Sequence, residues 1–415
     1  DADIDPYAPL PPTTTLTPVS DVIAAHGDSD EEAPEPIPYT LAGRLTAKRT
    51  MGKSIFADLQ DQTGRLQLYA KKDELGEDNF AVFKSLDIGD IVSVSGHTFR
   101  TRAGELTLRL SAYQLHAKSL QPLPEKWHGL TNIEQRYRQR YLDLIGNRDV
   151  RDAFQNRTFI LRETRRFLDD RGYMEVETPM MQPLPGGAAA KPFKTHYDAL
   201  GCRMYMRIAP ELYLKRLLVG GFERVYELNR NFRNEGLSRR HNPEFTMLEI
   251  YQAYGDCRSM MDLAEELITK VADTVMGTLK VGTEDTPIKL ERPWRRIRYT
   301  ALLQERMGGD WFDVSADNRS QRAYEAGVRV TPDMSDIEVT QEVYEKVIEP
   351  TLIQPTFVTH LPAQLVPLAK QSAEEPGAVD VFELVVGGQE LAPGYSELND
   401  PLDQEQRFLE MGRAY

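Results

Sequence analysis

Residues 224–254 read RVYELNRNFRNEGLSRRHNPEFTMLEIYQAY, two strand-like runs about a polar turn. Successive side chains of a strand point to opposite sides, so Phe245, Met247, Glu249 and Tyr251 share one face. A carboxylate among apolar and aromatic neighbours is costly unless it meets a cation; the bland alternative is an edge-strand glutamate in solvent. In the first run Arg233 and Glu235 fall in phase, on the face opposite Phe232. Pairing of the two runs about a loop at 236–242 would gather an arginine, two glutamates, an aromatic ring and a tyrosine on one surface. Such a surface suits a zwitterion and an anion, and makes a poor core. Arg230, Arg233, Arg239, Arg240 and His241 crowd the same stretch of an otherwise acidic chain, with 50 Lys+Arg against 64 Asp+Glu. They serve either scattered surface salt bridges or one local anion.

A second hairpin is legible in FELVVGGQEL, residues 382–391. Gly387 and Gly388 can form a two-residue turn, which sets Val386 opposite Gln389 and Val385 opposite Glu390. Glu383 then shares a face with Glu390, diagonally about 7 Å away. Two carboxylates this close without a basic partner suggest a hard divalent cation, Mg²⁺ rather than Ca²⁺, completed by phosphates and water. The alternative is a pair of solvated acids on an exposed hairpin. Glu397, in SELND, adds a further acid. PLPGGAAAKPF (residues 183–193) lacks the Gly/Lys spacing of a Walker loop; it reads as a loop that lets a small ligand approach the backbone, or as a bare flexible loop.

Outward from these motifs, residues 1–38 form an acidic, Pro-rich leader with one short helix expected near Val19–His26. Nine of its residues are acidic and none up to residue 36 is Lys or Arg, so much of the net charge of −14 sits there. Residues 191–240 hold eleven Lys+Arg and five Asp+Glu, a basic centre compatible with local polyanion binding. Five short strands with a helix after the third, over 39–117, suit an OB-type barrel. A Pro-containing linker at 118–131 leads to 132–415, where helices and mostly antiparallel strands give an α+β domain. No apolar run reaches transmembrane length and no signal-peptide pattern occurs. Cys202 and Cys257 are too few for a disulfide framework or a zinc site and read as ordinary cytoplasmic thiols.

RGYMEVETP (171–179) and FRNEGLSRRHNPEFTMLEIYQAY (232–254) resemble the first and second signatures of class II aminoacyl-tRNA synthetases. With GGAAAKPF, APELYLKRLLVGGFERVYELNRNFRNEG and SELND in order behind an N-terminal barrel, the chain resembles the bacterial-type lysyl-tRNA synthetases from about residue 39 to 408. The resemblance implies a cytoplasmic homodimer, free of membrane, with Pro179 and the helix before it at the dimer interface. That enzyme would activate L-lysine with ATP to lysyl-adenylate and pyrophosphate, then transfer lysine to the 3′ end of tRNA(Lys).

By the same resemblance Arg233 bridges the α-phosphate of ATP and the lysine carboxylate. His241 lies near the outer phosphates, Glu235 near the adenine and Phe245 under its ring. Glu211 takes the α-ammonium of lysine. Tyr251 and Glu397 line the ε-ammonium site, with Glu249 in support; Tyr395 is a further lysine-binding position, and the loop at Gly187 closes over the amino acid. Glu383 and Glu390 fall on the Mg²⁺–ATP carboxylates. Arg49, Phe56, Gln67 and Glu105 match anticodon-reading positions, although alternation alone leaves Phe56 open as a barrel-core residue. A stacked aromatic beside amide and charged groups is how single-stranded RNA is read.

Two departures stand out. Pro393 occupies a position where the family often has Asn, removing an N–H and an amide. The third class II signature, a Gly-rich strand and helix with an arginine for the γ-phosphate, does not follow DQEQRFLE. Competing readings are an aspartate or asparagine enzyme, disfavoured by Glu249 and Glu397, and a paralog lysylating a translation factor, disfavoured by the barrel. A non-catalytic RNA-binding relative is disfavoured by Arg233, Glu383 and Glu390.

Overall fold

Alternation in SIFADLQ sends Ile55, Ala57 and Leu59 inward and leaves Phe56 and Asp58 half-buried on the other face. The computed structural model describes residues 5–26, 37–123, 130–236, 238 and 241–414, without side chains for 410–414. Parts of the leader and linker, and Arg239 and Arg240, therefore lie outside the described residues. The chain divides into two compact units, Asp1–Asp152 and Ala153–Tyr415.

In the first unit strands Pro38–Met51, Ser54–Gln60, Arg65–Lys71, Ile91–Arg100 and Leu106–Ala117 close into a barrel. Its strand order is first, second, third, fifth, fourth. Helix Glu77–Ser85, between the third and fourth strands, drives Phe80 and Phe83 into the core beside Leu41, Leu68, Val94 and Leu108. The leader contributes helix Val19–His26, which buries Val19 and Val22 in that same core. Asp61 Oδ2 accepts from the Val19 N–H at 2.9 Å.

Residues 133–146 form two helices, Ile133–Arg138 and Arg140–Gly146, broken at Gln139. The break lets Arg136 and Arg140 both reach the fully buried carboxylate of Asp143, which also accepts from Asn147. This unit extends past the expected boundary at 131, and Arg151 within it donates to the Asp61 carbonyl at 2.9 Å.

In the second unit the strands Arg224–Phe232 and Glu244–Gln252 pair antiparallel, with Glu227 opposite Glu249 and Asn231 opposite Phe245. Met174–Glu175 pairs parallel beside them. One side of this sheet packs Tyr226, Leu228, Leu248 and Ile250 against helices Arg148–Asp169 and Cys257–Met276 through Phe167, Leu168, Leu267 and Val271. A second sheet orders Arg295–Arg298, Thr356–Thr359, Val381–Val386 and Gln389–Tyr395. Its turn has φ of 63° at Gly387 and 72° at Gly388, left-handed values that two-residue hairpins demand and glycine supplies.

Candidate active site

The chain leaves the first hairpin's ladder after Phe232. The loop therefore starts earlier than expected, at 233, although the Arg233 N–H still donates to the Pro243 carbonyl at 2.9 Å. Glu235 is exposed in that loop, beyond the ladder, so strand alternation no longer sets its side, a correction to its expected phase with Arg233. The second glutamate of the face is Glu227, which reading from the loop outward overlooked. His241 is exposed too, its Nδ1 2.8 Å from the Ser238 hydroxyl.

On the face itself the Arg233 guanidinium stands 5.3 Å from the Phe245 ring centroid. Its Nε is buried without a hydrogen-bond partner among the described residues. An arginine held by an aromatic plane with an unspent donor is poised to receive an anion. Beyond it, Glu227 pairs with Arg207 at 2.6 Å, both 1 % exposed, and accepts from the Thr178 hydroxyl at 2.7 Å. Glu249 accepts from the Tyr251 hydroxyl at 3.2 Å. Burial first, then the Glu211 carboxylate, push the Glu249 carboxyl up to about 7. Burial also raises the Tyr251 and Tyr395 phenols, which stay neutral hydrogen-bonding groups.

Glu211 opens helix Glu211–Val219 and is 7 % exposed. The Tyr395 hydroxyl approaches its Oε2 at 3.5 Å. Gly187, at φ 85°, packs against the start of this helix: a Cβ there would lie 3.0 Å from the Glu211 Cβ and 3.2 Å from that of Ala209. The small-residue loop is thus fitted to the acid rather than bare. Glu397 follows the last hairpin strand, and burial raises its carboxyl while Lys215 opposes the rise. Lys215 was not anticipated, though its place four residues after Glu211 on a helix was the available signal.

At the second hairpin Val385 faces Glu390 and Val386 faces Gln389, as expected, but a bulge follows and brings Glu383 opposite Pro393. Burial, then Glu390, push the Glu383 carboxyl up to about 7, and the Tyr344 hydroxyl donates to it at 3.0 Å. Burial, then Glu349 and Glu345, raise Glu390, while Arg233 lowers it. The Glu390 N–H donates to Glu349 at 3.2 Å. Tyr344, Glu345 and Glu349 come from the helical turns Tyr344–Ile348 and Glu349–Thr351, which carry no motif in the sequence. Among the described residues no group of three or more His, Cys, Asp or Glu could hold a metal ion by itself.

On the barrel, Phe56 lies outside the core, its ring 5.0 Å from that of Tyr69, which in turn is 5.6 Å from Phe99. Arg49 sits opposite Phe56 in the ladder. Arg109 lies over Phe99 at 4.8 Å. Gln67, 7 % exposed, donates to Glu105 at 2.8 Å and accepts from Thr107 at 2.9 Å. The platform of Tyr69, Phe99 and Arg109 had gone unread.

Residues 132–414 match the family described as tRNA synthetases class II (D, K and N), and residues 39–123 match the OB-fold nucleic acid binding domain. The chain is 55% identical to the lysine–tRNA ligase of Carboxydothermus hydrogenoformans over 90% of its own length and 77% of that relative. It is 46% identical to the lysine–tRNA ligase of Bacillus subtilis over 98% of its length and 82% of the relative. The chain belongs to the lysine–tRNA ligase family of class II tRNA synthetases.

Proposed function

We propose that the chain activates L-lysine with ATP and transfers it to the 3′ end of tRNA(Lys). The observation that carries this reading is Arg233, set against Phe245, with a buried donor that has no partner among the described residues and with Glu390 within electrostatic reach. Adenylate formation sets a carboxylate against the α-phosphorus, forming a new O–P bond as the bond to pyrophosphate breaks. Both reactants are anions. Arg233 bridges them, offsets their repulsion and fixes the approach, so no general base is required. Phe245 stacks the adenine, with Glu235 at its edge and His241 near the outer phosphates.

Glu211 takes the α-ammonium of lysine beneath the Gly187 loop. Glu397, Tyr395 and Tyr251 take the ε-ammonium, supported by Glu249. A neutral side chain would leave the outward oxygens of these acids, the ones Lys215 does not hold, without a donor, which is the source of selectivity. Glu383 and Glu390, two crowded carboxylates with raised affinity for a positive charge, suit Mg²⁺. Bound there, the ion would neutralise phosphate charge.

The segment 39–117 is assigned to anticodon reading through Phe56, Arg49, Gln67 and Glu105, 118–131 to a linker, and 132–415 to catalysis. Among the described residues no helix is long and apolar enough to cross a membrane; the exposed Phe159 and Ile160 of helix Arg148–Asp169 support a homodimer, and a cytoplasmic location is proposed from the family alone. The test is ATP–pyrophosphate exchange by the full-length protein. Exchange with lysine, and none with aspartate or asparagine, is expected; no lysine-dependent exchange would overturn the reading.

A further inference from the structure

Two carboxylates from distant parts of the second unit share one internal cation. Lys215 Nζ lies 2.8 Å from Glu211 Oε1 and 2.9 Å from Glu397 Oε2. It also stands 6.0 Å from the Tyr395 ring centroid. Glu211 is on the first turn of helix Glu211–Val219, whereas Glu397 is on the irregular segment after strand Gln389–Tyr395, bridged to Ala369. No backbone ladder joins the two elements, and the Lys215 side chain hydrogen-bonds both. Each carboxylate spends one oxygen on Lys215. The remaining oxygen of Glu211 meets the Tyr395 hydroxyl only at 3.5 Å, and that of Glu397 has no hydrogen-bond partner among the described residues. Lys215 thus uses one side of both acids and leaves their other oxygens open.

We propose that Lys215 is a positioning residue of the lysine pocket: its ammonium ties Glu211 and Glu397 into one fixed acceptor pair for the two ammonium groups of the substrate. The inference rests on the reading of Glu211 and Glu397 given above. Charge-assisted hydrogen bonds are short and directional, and the four-carbon stem of a lysine reaches from a helix to a neighbouring segment without moving either backbone. Without the tie, two like charges beside Glu249 repel and drift apart. The cost then falls on lysine, which needs both acids at once, and not on ATP, whose contacts lie at Arg233, Phe245 and the second hairpin.

The experiment compares wild type, Lys215→Met and Lys215→Arg in the full-length protein, measuring KM for lysine and for ATP in pyrophosphate exchange, with a thermal midpoint for each. Lys215→Met is expected to raise the lysine KM about tenfold or more while the ATP KM stays within about twofold, and Lys215→Arg recovers part of the loss. Should Lys215→Met not fold, Lys215→Gln reads the same ratio. A wild-type lysine KM in the neutral variants, or equal loss for lysine and ATP, overturns the role of Lys215 while leaving the lysine reading intact. Wild type without lysine-dependent exchange overturns the lysine reading first.

Discussion

Glu249 faces Glu227 directly across the first hairpin, and of the two only Glu227 has a cation in contact among the described residues, Arg207 at 2.6 Å. Glu249 is therefore the acid left to carry the burden of burial, and its carboxyl rises from 4.5 to about 7. The folded chain holds a proton there that the unfolded chain has released. This contribution to stability is full below pH about 4.5 and is lost as pH rises through about 7. Glu249→Gln should stabilise the ligand-free protein by about 1–3 kcal/mol at pH 8 and leave it little changed at pH 4.5. Urea unfolding at the two pH values checks this. Because an ammonium ligand favours the ionised acid, lysine affinity should also climb with pH through that window in wild type and not in Glu249→Gln.

The Arg207–Glu227 pair is walled in, with Thr178 completing its hydrogen bonds. Removing one partner strands a buried charge. Arg207→Met should cost roughly 3–5 kcal/mol in chemical denaturation, and Arg207→Met/Glu227→Met should recover much of it.

Arg233 combines a fork of donors with an aromatic support, and lysine can imitate neither. Arg233→Lys should lower the exchange rate by about a hundredfold or more, with stability within about 1 kcal/mol of wild type. Single-turnover adenylate formation, with circular dichroism on the same samples, separates the two effects.

Phe56 lies on the outer face of the barrel, in a row with Tyr69 and Phe99. Phe56→Ala should weaken binding of tRNA(Lys) by about 1–3 kcal/mol, the usual value of one stacked base. Lysine-dependent pyrophosphate exchange, which needs no tRNA, should not change. Filter binding and exchange assays on one preparation read both.

Local rules carried the sequence reading a long way. A period of two placed Phe245, Glu249 and Tyr251 on one face, and a Gly-Gly turn placed Val385 opposite Glu390, because each depends on a few neighbouring residues. The barrel, its helix after the third strand and the leader helix were legible for the same reason. What the sequence could not decide was where a ladder stops or which distant group fills a vacancy. Glu235 falls beyond the ladder because the chain departs the sheet at Phe232, and the outward side of Phe56, which alternation alone left open, was set by register. Tyr344 on Glu383, Arg207 on Glu227 and Lys215 on Glu397 were invisible. Glu211 and Tyr395, 184 residues apart, meet only once the helix and the last strand are packed. Strand periodicity follows from bonds between neighbouring residues, but counter-charges in a pocket are chosen by packing, which brings together residues that share no local rule.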